Sequence, residues 1–256
     1  MGKPSFVRDE ITPRSVIAVL ALSFALGAAF LMLALGLASC SSSVVGSIAP
    51  EGGAELTIDL AISPPLADKL RRLSQTQPGK PLFDSSAIRK SIESRSDLRL
   101  VSLSEPSPDS VRAVVAVPSI LRLASSPELR GTRLIAIARG PGWQELRVRL
   151  ERGHAAALTR LFPGIDPDLV DSLSPPALET DPTSVSDYRS MLASVFGERV
   201  MPALDSARLR VSLSAPAEVL DSGGGKLEGR TLEVSVPAID ALVLEKPIEF
   251  WLRWKS

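Results

Sequence analysis

Cys40 is the only thiol in the chain, and it closes the sequence Leu37-Ala38-Ser39-Cys40 at the end of a long apolar run. With one cysteine no internal disulfide forms, and a zinc site would rest mostly on carboxylates. His154, the single histidine, stands at an expected helix start beside Arg152 and Gly153. Capping or a surface position explains it, because a histidine base needs a positioned nucleophile and an orienting group. No Gly-x-Ser-x-Gly elbow, His-Glu-x-x-His or Ser-x-x-Lys spacing accompanies it. Gly223-Gly224-Gly225-Lys226 imitates a phosphate loop, but Leu227 stands where Ser or Thr would hold magnesium and strands flank it; it reads as a hairpin turn. Asp166, Asp168 and Asp171 are interrupted by Pro167 and lack the turn glycine and bidentate glutamate of a calcium loop. A solvated loop is the better reading. No catalytic residue, metal site or cofactor is expected. The binding candidates are Arg147 with Arg149 and Arg208 with Arg210, each pair placing two guanidiniums on one face of a strand. They suit an anionic headgroup or a protein partner, against the plainer reading of a polar outer face. Trp251 joins them, because Trp251 and Trp254 cannot both face one core.

These residues depend on what delivers them. Met1–Arg14 is a weakly basic leader, and Val16–Ala38 is an apolar run of 23 residues, against the ~20 that cross a bilayer as a helix. Simple secretory signals have apolar cores of roughly 7–15 residues, so an uncleaved membrane helix is one reading. Leu37-Ala38-Ser39-Cys40 resembles the lipobox of bacterial lipoproteins: an aliphatic residue, two small residues and a cysteine. The resemblance implies that the Cys40 sulfur receives a diacylglyceryl group. It further implies cleavage between Ser39 and Cys40 and acylation of the new amino terminus, palmitate being the usual chain. Several acyl chains anchor stably where one is marginal. Ser41, rather than Asp, after the cysteine points weakly to an outer membrane. N-myristoylation is excluded, because Phe6 occupies the Ser/Thr position.

The chain carries 29 basic and 29 acidic side chains, and removing residues 1–39 leaves a net charge of −1. No basic excess points to nucleic acid. Aromatics are 4% of the residues, too few for a stacking platform. Residues 40–53, small, polar and glycine-bearing, read as a flexible lipidated linker. Residues 54–256 read as an α+β exported domain, with a helical lobe expected at 153–205. Ala54–Ser63, Leu98–Leu103, Val111–Val117, Thr132–Arg139 and Glu145–Leu150 have strand patterning. So do the segments around Leu209–Leu213, Glu218–Leu220, Leu232–Val236 and Ile248–Trp254. Helices are expected at Ser63-Pro64-Pro65, with Ser63 as N-cap and proline in the first turn, from Ser85 under an Asp84 cap, at Ser119–Ala124, at Gly153–Phe162 and from Ser184. The expected architecture is antiparallel sheet with helices packed on one side, after an N-terminal signal or membrane helix.

The last third, with Glu228-Gly229-Arg230-Thr231-Leu232, Leu242–Pro247 and a Trp-ended strand, is similar to exported lipoproteins of the LppM type. That resemblance implies a small α+β domain to which lipid or glycolipid handling is ascribed. Such proteins often end in a membrane helix, which has no counterpart before Ser256. The reading that follows is a non-enzymatic, lipid-anchored protein of the bacterial cell envelope, facing the periplasm or exterior. Its domain binds a lipid or an envelope protein, with pocket walls expected on Leu66–Leu73 and Val185–Phe196. The rivals are a carboxylate- or serine-dependent hydrolase of envelope polymers, which needs two close acidic side chains in a cleft, and a single-pass structural or assembly protein.

Overall fold

The computed structural model describes residues 41–256 except 74–76, 78, 127–128, 130, 153, 155–175 and 179–182. The leader, Cys40, most of the helix expected at Gly153–Phe162 and the aspartates at 166, 168 and 171 lie outside the described residues. Strand alternation becomes strand pairing where it was read. β2 (Ala54–Ala61), β3 (Arg99–Ser107), β4 (Ser110–Val117), β7 (Arg208–Ser214) and β10 (Thr231–Pro237) join β1 (Ser41–Ile48) and β9 (Lys226–Glu228) in a seven-stranded sheet ordered β3-β4-β2-β1-β7-β10-β9. β5 (Ile135–Gly140), β6 (Trp143–Leu150), β8 (Val219–Gly223) and β11 (Ile248–Lys255) form a second sheet ordered β5-β6-β11-β8. The pairs are antiparallel except β1 with β7, which run parallel with Val44 opposite Val211.

β1 corrects the expectation of a flexible spacer at residues 40–53. Its serines read as linker, yet Ser42, Val44 and Ile48 are buried. A central strand needs little bulk of its own when its neighbours supply it. Leu56 of β2 and Leu213 of β7 reach over Gly46, so a Cβ there would lie 2.9 and 3.0 Å from their methyl groups. The glycine run is also not a hairpin tip. Gly223 pairs with Trp251 in the small sheet and Leu227 pairs with Leu232 in the large one. Gly223–Gly225 therefore carries the chain from one sheet to the other.

The helices are α1 (Pro64–Leu73), α2 (Ser85–Glu93), α3 (Ile120–Ala124), α4 (Val185–Phe196), α5 (Met201–Ser206) and α6 (Ala238–Val243), with a 3-10 turn at Pro176–Leu178. Asp84 caps α2, accepting from the Ser86 hydroxyl at 2.6 Å and the Ala87 amide at 2.9 Å. Those two bonds hold its carboxyl below the ordinary value. Ser119 and Ser184 cap α3 and α4. Ser63 does not cap α1 with its side chain: Pro64 and Pro65 have no N–H, Leu66 N donates to the Ser63 carbonyl, and the Ser63 hydroxyl has no partner among the described residues. The apolar stripes of α1 and α4 close on Leu66, Leu70, Tyr188, Leu192 and Phe196, all 2% exposed or less. α6, apolar on nearly every side, is buried against α4, α5 and the 3-10 turn. The described part of the helical middle thus packs through α6 into the same core as the sheets.

Candidate functional site

The inner faces of the two sheets do not close on each other completely. Between them is a cavity of about 90 Å³. The large sheet supplies Val44, Leu56, Leu209, Val211 and Leu213, and the small sheet supplies Leu146, Val148 and Phe250; Ile120 and Leu123 of α3 complete the wall. Among the described residues, no titratable side chain lines it. The stripes on Leu66–Leu73 and Val185–Phe196, expected as pocket walls, contribute nothing to it, because close packing in the core leaves them no free volume. A cavity of this kind stays dry and accepts apolar atoms. It can do no acid–base chemistry of its own.

The opposite face of the small sheet holds three of the sequence-derived candidates. Alternation puts Trp143, Glu145, Arg147 and Arg149 of β6 beside Glu249, Trp251 and Arg253 of β11. The Arg253 guanidinium lies 4.6 Å from the Trp143 ring centroid and 5.7 Å from that of Trp251; Arg147 lies 5.5 Å from Trp251. Glu145 is buried between them. It accepts from Arg253 Nη2 at 2.7 Å and Nε at 3.0 Å, and from Arg147 Nη2 at 3.1 Å. Arg147 also pairs with Glu249, and Arg149 is shared by Glu249 at 3.2 Å and Glu151 at 3.0 Å. The rings lie across glycines: a Cβ on Gly140 would overlap Trp143, and one on Gly223 would overlap Trp251. Arg147 and Arg149 are committed to carboxylates and Trp251 to guanidiniums. The face is a brace.

Burial pushes the Glu145 carboxyl up, but hydrogen bonds from Arg253 and Arg147, with their charges, outweigh it and hold the group below its ordinary value of 4.5. A depressed folded value stabilises the fold above the unfolded pKa, and that contribution is lost as pH falls through the folded one. Glu145→Gln should therefore lower stability at pH 7 by about 1–2 kcal/mol, since its arginine partners remain partly solvated. Urea unfolding should show the gap to wild type narrowing as pH drops below 4.5. A constant gap would mean that the ionised carboxylate contributes nothing.

Arg208 and Arg210 are brought nowhere near this face. They lie on the outer face of the large sheet, opposite Ser41 and Ser43. Arg208 donates to the carbonyls of Asp205 at 2.7 Å and Ala207 at 2.9 Å. Arg210 is exposed, with no ion pair among the described residues. His154 is buried rather than on the surface; its Nδ1 donates to the Arg149 carbonyl at 3.1 Å, and Nε2 is 3.6 Å from Glu151.

No protein-family profile matches the chain, and no curated protein matches its sequence. One solved fold is similar. It is the NMR structure of the folded domain of Mycobacterium tuberculosis LppM, 11% identical over 86% of this chain and 91% of that one, with a TM-score of 0.39. Among the described residues no helix is long and apolar enough to cross a membrane, and no three His, Cys, Asp or Glu side chains are grouped to hold a metal.

Sequence reasoning missed Trp143, Glu145, Glu249 and Arg253. Their signal was available: Trp143-x-Glu145-x-Arg147-x-Arg149 and Glu249-x-Trp251-x-Arg253 both alternate charge and indole on one strand face. The cavity had no such signal, since its walls come from segments far apart in the chain.

Proposed function

We propose that this chain is a membrane-anchored protein of the bacterial cell envelope, attached through acylated Cys40, whose domain takes the hydrocarbon end of an amphiphile between its two sheets. The observation that carries the binding half is the cavity, lined by apolar side chains apart from Ser212 and, among the described residues, by no charged one. Ligand pockets usually measure ~300–1,000 Å³, so about 90 Å³ admits a short stretch of hydrocarbon, tail end first. Leaving such a volume empty costs about 2 kcal/mol relative to filling it, at roughly 24 cal/mol per Å³. A domain without disulfides tolerates that loss when the space is used. The rival hydrolase needs two close acids in a cleft, and the cavity wall has none.

The test fills the space. Val211→Phe projects a ring into the cavity from the middle of β7. It should weaken binding of a fluorescent fatty acid by about tenfold or more, the effect of losing ~1.4 kcal/mol of burial. Its unfolding midpoint should match or exceed that of wild type. Equal affinity in the two proteins, or no binding by the wild type, would reject the reading.

A further inference from the structure

The first described residue after Cys40 already belongs to a strand. Ser41 is opposite Arg208 of β7, and from Ser43 onward β1 is paired on both sides, with β2 as well as β7. Consecutive Cα atoms are about 3.8 Å apart, so whatever holds Cys40 holds the end of the large sheet with no tether between. At that end Arg208 and Arg210 share the outer face. The nearby aspartates are already taken: Asp59 pairs with Arg112, Asp109 with Arg71 and Asp205 with Arg189. Two guanidiniums without a carboxylate partner among the described residues therefore stand beside the attachment point. The row containing Arg210 is only ~10 Å along the strand from Cys40, about one Debye length.

We propose that the Ser41 end of the seven-stranded sheet rests directly on the bilayer, with Arg208 and Arg210 against the phosphates of anionic lipid headgroups. The inference rests on the attachment at Cys40 proposed above and adds to it a fixed orientation. Ser235, opposite Arg210, faces the membrane end, whereas Glu228, in the strand pair that closes the β9–β10 hairpin, lies at the far end. The β9–β10 hairpin points away from the lipid.

Acylation consumes the Cys40 sulfur, so a new cysteine can be labelled alone. The full-length protein carrying either Ser235→Cys or Glu228→Cys, labelled with a fluorophore, is reconstituted in phosphatidylcholine–phosphatidylglycerol vesicles containing a lipid with a nitroxide on its headgroup. The probe at 235 should be quenched roughly threefold more than the probe at 228, for rows ~13 Å apart along upright strands. Arg210→Gln, an exposed change that leaves the fold intact, should reduce that contrast in the anionic vesicles. Equal quenching of the two probes on protein whose intact mass shows acylated Cys40 overturns the seating and leaves the anchor standing. A mass showing unmodified Cys40 overturns both.

Discussion

Gly224→Ala should destabilise the domain by about 3 kcal/mol or more, a large part of the ~5–15 kcal/mol that holds a typical fold. Two costs add. Gly224 has φ +78°, a left-handed conformation that charges an L-residue about 1–2 kcal/mol. A Cβ there would also overlap the Glu249 carbonyl oxygen and lie 2.7 Å from the Phe250 Cα. Both atoms are backbone of β11, the strand that carries Phe250 to the cavity and Trp251 to the brace, so relief requires the sheets to shift. Overpacking of this kind adds about 1–3 kcal/mol, against a gain of roughly 0.4–1 kcal/mol from stiffening the unfolded chain. Gly229→Ala separates the two costs. Its φ is +61°, but nothing lies within 4 Å of its added Cβ, so it should lose only about 1 kcal/mol. Chemical denaturation of both variants checks this. Equal losses would show that the crossing between sheets has slack and that close approach is not what requires glycine there.

The same crossing shows where the sequence was legible and where it was not. Strands with one apolar and one polar face announced themselves: Leu56, Ile58 and Leu60 in β2, Leu146, Val148 and Leu150 in β6, Phe250, Leu252 and Trp254 in β11. Caps did too, at Asp84 and Ser184, whereas Ser63, expected to cap α1, makes no such side-chain bond. Elements whose faces are alike did not. β1 has little contrast between Ser43, Val45 and Ser47 on one face and Ser42, Val44, Gly46 and Ile48 on the other, because Leu56 and Leu213 fill the space over Gly46. α6 is apolar on nearly every side because helices and sheet enclose it, so neither shows the periodicity of a half-buried element. The glycines of 223–225 hide two different strands behind one turn-like signature. Candidate sites fared similarly. Arg147, Arg149 and Trp251 did converge on one face, but the partners that occupy them, Glu145, Glu249 and Arg253, are fixed only by the register of β6 on β11. The cavity depends on how two sheets stack, which local pattern does not encode.

Cys40→Ala should abolish lipid modification and cleavage altogether, the largest effect expected of any single change. The diacylglyceryl thioether has no other sulfur to form on, since the chain holds one cysteine. Wild-type protein should run as a chain starting at residue 40, heavier by its acyl groups, and partition with the membrane. The alanine variant should keep Met1 and lose the added mass. Because β1 starts at Ser41, the unprocessed variant presents the domain directly behind an apolar run of 23 residues, long enough to hold it at the membrane as a helix. Partitioning alone therefore cannot separate lipid anchor from membrane helix, and intact mass is the deciding measurement. If both proteins retain Met1 at their unmodified masses, the run from Val16 to Ala38 is itself the anchor and the lipoprotein reading falls. Ser39 and Cys40 would then separate the end of that run from the first residue of β1, and the seating argued from acylated Cys40 would fall with the lipid anchor.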